Sequence, residues 1–284
     1  MKILVFGKTG QVATELQRRG TVIALGREAA DLSDPSACVA AIETHAPDVV
    51  INAAAYTAVD RAEEEEPLAT VINGETPGQI ARACTARGIP LVHISTDYVF
   101  DGSGQAPWCE TDPVAPQNAY GRSKLAGEAA VIEAGGVYAI LRTAWVFSAH
   151  GNNFVKTMLR LSETRDSLNV VEDQIGGPTP AAAIADACLL IAAELIRAPQ
   201  KTGLYHFAGA PEVSWKTFAS EIFSQAGCNV TVTGIPASDY PTPASRPANS
   251  RLDCGSIKAA FGINQPDWRA GLYNVLTDLK NTAK

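Results

Sequence analysis

Three side chains near the middle of the chain have the types and spacing needed to move a proton. Thr96 lies just after the buried-strand pattern Ile89–Ile94, so we expect its hydroxyl at the end of a central strand. Tyr120 and Lys124 are four residues apart and would share one face of a helix that Asn118 could cap. A phenol has an ordinary pKa of about 10, and a nearby ammonium favours the phenolate. The spacing therefore predicts a proton-transfer site.

A Tyr/Lys pair at this spacing also occurs by chance on many helices, so the hypothesis depends on a nucleotide-binding pattern earlier in the chain. Lys2–Phe6 has the pattern of a buried strand, and a glycine loop, Gly7–Ala13, follows it and opens a helix. Glycines allow a tight turn close to a pyrophosphate, and the helix N-terminus offers free N–H donors. Strand, loop and helix in this order predict a dinucleotide site.

The residues after the next two strands bear on the cofactor. A Rossmann fold contacts the adenosine ribose after its second strand, here Thr21–Leu25, and an acidic residue there would favour NAD. This chain has Gly26 and Arg27 instead. An arginine can hold a 2′-phosphate, which allows NADPH, but an arginine on a surface turn is an open alternative. The third strand, Asp48–Ile51, ends in the small residues of Asn52–Thr57, against which a cofactor could lie.

Strand and helix patterns alternate through the first half of the chain. Helices are predicted at about 35–45, 60–87 and 118–134, and a fifth strand at Val137–Leu141. This alternation predicts an α/β fold with a Rossmann-type, doubly wound parallel sheet. Beyond Arg142 the pattern loosens into helices at about 153–164, 180–196, 214–226, 256–261 and 268–280 and a strand at 203–207. We predict a dinucleotide-binding domain over 1–143 and a smaller, mainly substrate-binding lobe over 144–284, with some segments returning to the first domain.

Composition excludes several classes of function. The 284 residues suit one large or two modest domains, and a net charge of −7 without a Lys/Arg-rich block argues against nucleic acid or an anionic membrane as partner. The 6 cysteines and 4 histidines are scattered, which predicts neither a disulfide framework nor a metal site. No apolar run approaches the ~18 residues of a membrane span. We expect a cytoplasmic protein.

Several segments extend the pattern beyond the proton-transfer site: Gly7–Val12, Asn52–Asp60, Ser95–Phe100, Tyr120–Glu128, Arg142–Phe147 and Arg246–Asp253. With them the chain resembles the extended short-chain dehydrogenase/reductase family and, within it, the dTDP-4-dehydrorhamnose reductase family. The resemblance covers nearly the whole chain. The Asn-Ala-Ala-Ala and Thr-Asp-Tyr-Val-Phe segments are specific to this group, whereas many relatives share the glycine loop and the Tyr/Lys pair.

The resemblance implies reduction of the C4 ketone of dTDP-4-dehydro-6-deoxy-L-mannose to dTDP-L-rhamnose with NADPH or NADH. Tyr120 would protonate the C4 oxygen, Lys124 would lower the Tyr120 pKa and bind the nicotinamide ribose, and Thr96 would hydrogen-bond the reacting oxygen. Together with Gly7, Arg27, Tyr120 and Lys124, the cofactor-binding residues would be Gly10, Gln11, Val12, Asp31, Leu32, Ala53, Ala55, Tyr56 and Thr57. Asp31 and Leu32 would flank the adenine.

The resemblance also implies a nucleotide-sugar site. Asp97 would help to hold the sugar, Trp145 would pack against its apolar face, and Arg246 would bind the diphosphate. Trp145 follows the fifth strand by a few residues, so it should emerge where doubly wound folds bind ligands. A buried core tryptophan is the alternative for this residue.

Some alternatives stay open. Gly26 and Arg27 depart from relatives that carry an acid after the second strand, which leaves the choice between NADH and NADPH undecided. The chain could be another nucleotide-sugar reductase or epimerase. It could also be a non-catalytic NADP-binding relative similar to the regulatory subunit of methionine adenosyltransferase, although the intact Thr/Tyr/Lys set argues against this. Some members are magnesium-linked dimers, so a homodimer and a Mg²⁺ contact at Glu15 stay open, but nothing in the residues requires a metal.

Overall fold

The computed structural model describes residues 1–282, and its strands form one large sheet and three small ones. In chain order the strands are β1 (Ile3–Phe6), β2 (Val22–Leu25), β3 (Val49–Asn52), β4 (Leu91–Thr96), β5 (Tyr138–Thr143), β6 (Val146–Phe147), β7 (Ser167–Val171), β8 (Ile175–Gly176), β9 (Thr179–Pro180), β10 (Gly203–His206), β11 (Val213–Ser214), β12 (Thr231–Ile235) and β13 (Asn249–Ser250). The α-helices are α1 (Gln11–Arg19), α2 (Pro35–His45), α3 (Val59–Ala62), α4 (Glu66–Thr70), α5 (Thr76–Arg87), α6 (Ala119–Glu133), α7 (Phe154–Ser162), α8 (Ala181–Arg197), α9 (Trp215–Ala226), α10 (Gly255–Phe261) and α11 (Trp268–Thr282). One π-helical turn spans Val71–Glu75, and short 3₁₀ turns span Asp97–Val99, Pro199–Lys201 and Ala237–Asp239.

The large sheet consists of six parallel strands in the order β2-β1-β3-β4-β5-β10. All residues of β1 are apolar and buried, as is typical of a parallel sheet with both faces covered. The strand order reverses between β1 and β3, so the loops after these two strands meet at the same point. Doubly wound folds bind ligands at such a point, outside the carboxyl ends of the strands. The predicted fold class is confirmed.

Helices cover the two faces of the large sheet with separate apolar clusters. On one face, Leu16 of α1 and Ile191 of α8 pack in the cluster that contains Val5. On the other face, Ile42 of α2 packs in the cluster that contains Leu4. Neighbouring residues of β1 thus serve opposite faces, as the strand period requires. Helix α8 covers one face of the large sheet, and β10 extends the sheet at its edge. Part of the chain beyond residue 143 therefore belongs to the same structural unit as the large sheet.

A smaller lobe lies beyond β5. Helices α7, α9 and α11 and the paired strands β7 and β12 surround a third apolar cluster that includes Phe147, Phe218 and Trp268. The short strand β8 pairs with both β11 and β13 and so brings three distant loops together. Strands β7 and β12 have no counterpart among the predicted strands, although β7 alternates polar, exposed residues with apolar, buried ones as a half-buried strand does.

The helical region predicted at about 60–87 is divided into α3, α4, the π-helical turn and α5. Pro67 and Pro77 lie in the first turns of α4 and α5. Proline is tolerated in a first turn, where its missing N–H would be unpaired, but it disrupts the interior of a longer helix. The other predicted helices and strands overlap elements of the structure. Within residues 1–282, every helix is too short or too polar to cross a membrane.

Candidate active site

Thr96 and Tyr120 meet at the carboxyl end of β4. The Thr96 hydroxyl donates to Asp97 Oδ1 over 3.2 Å and accepts the Tyr98 N–H over 3.2 Å. Burial raises the pKa of the Tyr120 phenol to about 12, while the Thr96 hydroxyl lowers this pKa and the Asp97 charge raises it. The phenol therefore keeps its proton at neutral pH. This differs from the lowered pKa expected from the sequence, because desolvation outweighs the other effects.

Helix α6 carries Tyr120 and Lys124 in its first turns. Its N-cap, Asn118, accepts the Gly121 N–H over 2.7 Å, which confirms the predicted cap. A Cβ on Gly121 would overlap the Tyr98 carbonyl oxygen, so the glycine lets α6 lie directly against the turn after β4. The Tyr120 ring then packs edge-on against the Tyr98 ring, with 5.6 Å between their centroids.

Lys124 is deeply buried, with 2% of the residue exposed. Its Nζ donates to the Ile94 carbonyl oxygen over 2.7 Å and lies 3.3 Å from His93 Nε2. Burial lowers the pKa of the ammonium to about 8, and the negative charge of Glu128 opposes this shift. Lys124 therefore titrates closer to neutral pH than a lysine in water.

Asn73 joins the loop after β3 to α6, and the sequence reasoning missed it. Its Nδ2 donates to Ser123 Oγ over 3.0 Å and to the Tyr56 carbonyl over 3.0 Å, and its Oδ1 accepts the Tyr56 N–H over 2.8 Å. Ser123 Oγ in turn donates to the Tyr120 carbonyl over 2.7 Å. Asn73 lies in the π-helical turn, a feature that is frequent at functional sites. No local motif marks an asparagine whose partner is 50 residues away.

The loop after β1 leaves the start of α1 uncovered. Gly7 has φ of 110°, which favours glycine, and packs closely on Ala53 in the loop after β3. Gly10 N-caps α1, and outside Gly10, its chain neighbours and the first turn of α1, no atom of residues 1–282 lies within 4 Å of the position that its Cβ would take. The start of α1 thus faces open space where the strand order reverses. These features fit the pyrophosphate of a dinucleotide.

Gln11 connects this loop to the smaller lobe. Its Oε1 accepts hydrogen bonds from Ser148 Oγ over 2.9 Å and from Asn153 Nδ2 over 3.0 Å, and its Nε2 donates to the Val146 carbonyl over 3.4 Å. The side chain therefore faces the lobe. The Val12 side chain is buried in the core. Gln11 and Val12 can thus offer a phosphate their backbone N–H groups rather than their side chains.

Two cations and two acids meet on the surface beside the end of β2. Arg27 has an 81% exposed side chain, and its Nε lies 3.9 Å from Asp31 Oδ2. Glu28 reaches back across Gly26, so that a Cβ on Gly26 would overlap the Glu28 carboxylate. The same carboxylate pairs with Lys8 Nζ over 3.1 Å. A negative charge therefore occupies the space of a side chain at residue 26, although the sequence has no acid at that position.

The other residues predicted for the cofactor lie along the same edge of the sheet. Leu32 is buried, and its carbonyl accepts the Thr76 hydroxyl over 2.6 Å. The Ala53 N–H donates to the Phe6 carbonyl over 2.9 Å. The loop then becomes steadily more accessible through the half-buried Ala55 and Tyr56 to the exposed Thr57.

Asp97 is a buried carboxylate with an unpaired oxygen. Only 3% of the residue is exposed, and Oδ2 has no hydrogen-bond partner among residues 1–282. Burial raises the pKa of this carboxyl to about 6, while the nearby hydroxyls of Ser250 and Thr96 lower it. A buried acceptor without a partner is costly unless a ligand supplies a donor. Asp97 Oδ2 is thus an acceptor that the described residues leave unpaired.

We expect Asp97→Asn to stabilise the protein at high pH and to weaken its activity. An acid whose folded pKa is above its ordinary value loses stability as pH rises through the folded pKa, here about 6. The variant should therefore unfold with about 2–3 kcal/mol more free energy at pH 8 and little difference at pH 4. Denaturant unfolding at both pH values checks this. A wild-type protein more stable than the variant at pH 8 would contradict the assigned burial.

Trp145 has the positive φ of 50°, a strained conformation for a bulky residue. Its ring stacks on the Trp215 ring at the start of α9, with 3.5 Å between centroids and 11° between planes. Gly176 lies at its edge, where a Cβ would approach the Trp145 ring to 2.8 Å. Trp145 is half-buried. Strain of this kind is concentrated at functional sites, and the stack and the glycine contact hold the ring at the end of β5.

Arg246 approaches the site from a loop of the smaller lobe. Its Nη2 pairs with Asp60 Oδ2 over 2.9 Å, and its Nη1 donates to the Ala244 carbonyl over 3.0 Å. Its positive charge lowers the pKa of Tyr98, which burial raises. The Asp60 contact thus anchors Arg246 to α3, in the first half of the chain.

Glu15, the residue considered for Mg²⁺, does not fit a divalent cation. Its Oε1 lies 3.2 Å from Arg18 Nη1 and 3.1 Å from His150 Nε2, and its Oε2 lies 3.2 Å from Arg19 Nε. Two guanidinium groups thus already occupy the carboxylate and would repel a cation. No group of three or more His, Cys, Asp or Glu residues within 1–282 could hold a metal ion.

The sheet of six parallel strands is the fold of Rossmann-type reductases. The family model described as RmlD substrate binding domain matches residues 1–281. A dTDP-4-dehydrorhamnose reductase of Burkholderia thailandensis is 46% identical over 295 aligned positions, covering 98% of this chain and 99% of that protein. The chain belongs to the dTDP-4-dehydrorhamnose reductase family.

Solved structures of the same family share the fold. The crystal structure of a dTDP-4-dehydrorhamnose reductase of Clostridium acetobutylicum has a TM-score of 0.91 and 38% identity, covering 99% of this chain and 100% of that one. The enzyme of Bacillus anthracis, solved in complex with NADP, has a TM-score of 0.90 and 35% identity, covering 98% of this chain and 100% of that one.

Proposed function

We propose that this chain reduces the C4 ketone of dTDP-4-dehydro-6-deoxy-L-mannose to dTDP-L-rhamnose with NADPH or NADH. The observation that carries the proposal is the packing of α6 against the end of β4. Lys124 Nζ donates to the Ile94 carbonyl, and the Tyr120 ring packs on the ring of Tyr98, whose backbone N–H is accepted by Thr96. The names of the relatives support the substrate, and the NADP complex of the Bacillus anthracis relative supports the cofactor.

The bound nicotinamide would supply the hydride, and the side chains of this protein would manage the charge that develops on the C4 oxygen. Tyr120 gives its phenolic proton to that oxygen, because a pKa of about 12 keeps the proton available at neutral pH. Thr96 hydrogen-bonds the same oxygen. Lys124 in its ammonium form stabilises the phenolate that remains on Tyr120.

Three side chains at the carboxyl edge of the large sheet would contact the nucleotide sugar. Asp97 accepts a sugar hydroxyl through its unpaired Oδ2. Trp145 covers the apolar face of the deoxysugar, since an aromatic ring suits such a surface. Arg246, oriented by Asp60, binds the diphosphate, since a guanidinium forks onto phosphate oxygens.

The dinucleotide would lie across the loops after β1, β2 and β3. The backbone of Gly7, Gly10, Gln11 and Val12 would hold the pyrophosphate at the start of α1. Asp31 and Leu32 would flank the adenine, and Ala53, Ala55, Tyr56 and Thr57 would line the nicotinamide side. Lys124 would hydrogen-bond the nicotinamide ribose.

We predict that NADPH is used at least as well as NADH, and that Arg27→Ala weakens NADPH more than NADH. Arg27 is exposed after β2, where its guanidinium can pair with a 2′-phosphate. Loss of one such charge-assisted contact should raise the NADPH KM about 10-fold. Initial rates at varied NADPH and NADH measure this. Equal changes in the two KM values would show that Arg27 does not contact the 2′-phosphate.

Glu28→Gln is the matched variant for the same surface. It keeps the size of the side chain that covers Gly26 but removes the negative charge beside Lys8. Because that charge repels a 2′-phosphate and suits ribose hydroxyls, the variant should change the ratio of the two KM values in the opposite direction from Arg27→Ala.

The proposed activity is tested by oxidation of NADPH and NADH against a panel of dTDP- and UDP-linked 4-ketosugars. We expect rapid oxidation with dTDP-4-dehydro-6-deoxy-L-mannose and slow oxidation with the UDP-linked sugars. A preference for another ketosugar would instead support a different nucleotide-sugar reductase. Tight NADPH binding without turnover of any ketosugar would support a non-catalytic NADP-binding relative.

A further inference from the structure

A buried histidine connects the third strand of the large sheet to Lys124. His93 in β4 is fully buried, with no accessible surface. Its Nδ1 lies 3.1 Å from Asn52 Nδ2 at the end of β3, and its Nε2 lies 3.3 Å from Lys124 Nζ in α6. The imidazole thus bridges two elements of the proposed site without reaching the space where substrate or cofactor would bind.

The hydrogen bonds of Asn52 decide which ring nitrogen of His93 carries the proton. Asn52 Oδ1 accepts the Ala54 N–H over 3.2 Å, which fixes the orientation of the amide and turns Nδ2 toward His93 Nδ1. Since Nδ2 is a donor, Nδ1 must be the unprotonated nitrogen. Burial and the nearby Lys124 charge lower the pKa of His93 well below its ordinary value, so the ring is neutral. Its proton therefore lies on Nε2.

The Nε2–H group points at Lys124. Nζ already donates to the Ile94 carbonyl over 2.7 Å. An ammonium has three donors and no acceptor, so an ammonium would place two N–H groups against each other at 3.3 Å. An uncharged amine has a lone pair that can accept the Nε2–H. The pairing is satisfied only when Lys124 is an amine.

We infer that Asn52 locks His93 in the Nε2–H tautomer, and that this N–H favours the uncharged amine of Lys124. Asn52 and His93 are then positioning residues that set the pH at which Lys124 loses its charge. The consequence for catalysis rests on the role proposed above for Lys124 beside Tyr120. The tautomer and the charge of Lys124 do not depend on that role and can be measured separately.

One negative charge near Lys124 favours its ammonium form, but this charge is already paired with an arginine. Glu128, one turn further along α6, favours the ammonium. Its Oε2 pairs with Arg142 Nη2 over 2.6 Å, its Oε1 accepts Arg142 Nε over 2.9 Å, and the Ser95 hydroxyl also donates to Oε1. Arg142 therefore offsets much of the negative charge of Glu128. The Asp97 carboxylate acts on the Tyr120 phenol, whose pKa it raises.

The first test is ¹⁵N NMR of the histidine rings in the full-length protein without added cofactor. The chain has 4 histidines, and the signals absent from His93→Gln identify residue 93. We expect an unprotonated Nδ1 and a protonated Nε2 between pH 6 and 9. A proton on Nδ1, or a doubly protonated ring in this range, would overturn the inference.

The second test follows the titration of Lys124 by ¹³C NMR of its labelled Cε group. His93→Gln places an amide oxygen that can accept from the ammonium, so the midpoint should rise by about one pH unit. Asn52→Asp should also raise the titration midpoint of Lys124. A carboxylate at residue 52 draws the His93 proton to Nδ1 and leaves Nε2 as an acceptor for the ammonium. His206→Gln is the control, since His206 is also fully buried but lies beside Arg142. It should leave the midpoint unchanged.

Activity provides an independent measure. If the ammonium form of Lys124 supports Tyr120, kcat should fall above the Lys124 midpoint, and His93→Gln should move this alkaline limb upward by the same amount. If His93→Gln and Asn52→Asp both fold and leave the titration midpoint of Lys124 unchanged, the inference is overturned, even when the wild-type protein reduces the ketosugar. A wild-type protein that shows the predicted tautomer but turns over no ketosugar would contradict the proposed function alone.

Discussion

Replacement of Tyr120 by phenylalanine should lower kcat by about 10²–10⁴-fold, the usual contribution of a general acid, and leave NADPH affinity unchanged. The variant removes the proton that the C4 oxygen would receive and keeps the ring that packs on Tyr98. Stopped-flow oxidation of NADPH by the ketosugar measures the chemical step, and quenching of protein fluorescence measures NADPH binding.

Tyr98→Phe is the matched control for this variant. Tyr98 packs edge-on against Tyr120 from the turn after β4, and its phenol has no role in the proposed proton transfer. We therefore expect a far smaller change in kcat. A Tyr120→Phe enzyme with nearly normal kcat would remove Tyr120 from the role of proton donor.

Trp145→Ala should reduce kcat/KM for the ketosugar by about 10–100-fold, which corresponds to the burial of one aromatic side chain against the sugar. NADPH affinity should not change, because Trp145 lies on the side of the smaller lobe, stacked on Trp215. The same variant separates the two interpretations of this residue. A core tryptophan would cost about 3–5 kcal/mol of stability when replaced by alanine, whereas a wall of the sugar site would cost less.

Trp145→Gly provides the second arm of this experiment. Glycine adopts the φ of 50° without the strain that Trp145 bears, so it should be more stable than Trp145→Ala while losing the same catalysis. Melting temperature, NADPH binding and kcat/KM are measured on both variants. A large loss of stability with unchanged kcat/KM in the folded fraction would reject the sugar-wall assignment.

Local patterns predicted the parts of the site that are built from neighbouring residues. The Asn118 cap, the open loop at Gly10 and the shared face of Tyr120 and Lys124 each depend on a few consecutive residues, whose types restrict the backbone directly. The parallel sheet could be predicted for the same reason, since β1 is buried along its whole length.

Contacts between distant residues could not be predicted in this way. Arg246 and Asp60 are 186 residues apart, and the contact of Asn73 with Ser123 spans 50 residues. Neither pair belongs to a pattern of its own, because each depends on how whole elements pack. The negative charge beside Gly26 could not be predicted either, because it comes from Glu28, whose side chain folds back over Gly26.

The pKa of Tyr120 shows how burial changes a prediction based on residue types alone. The Tyr/Lys spacing indicates a lowered pKa, but the spacing contains no information on desolvation, which is the largest effect on this phenol. The same limit applies to Lys124, whose pKa burial lowers. Both shifts require the packed structure.

The most direct test of the account is the fate of deuterium from NADPH labelled at C4 of the nicotinamide. We predict that incubation with dTDP-4-dehydro-6-deoxy-L-mannose gives dTDP-L-rhamnose with one deuterium at C4 of the sugar, at a rate equal to NADPH oxidation. NMR of the isolated nucleotide sugar identifies the product and the labelled position. Recovery of the ketosugar, or of an epimer without deuterium at C4, would contradict the proposed reduction.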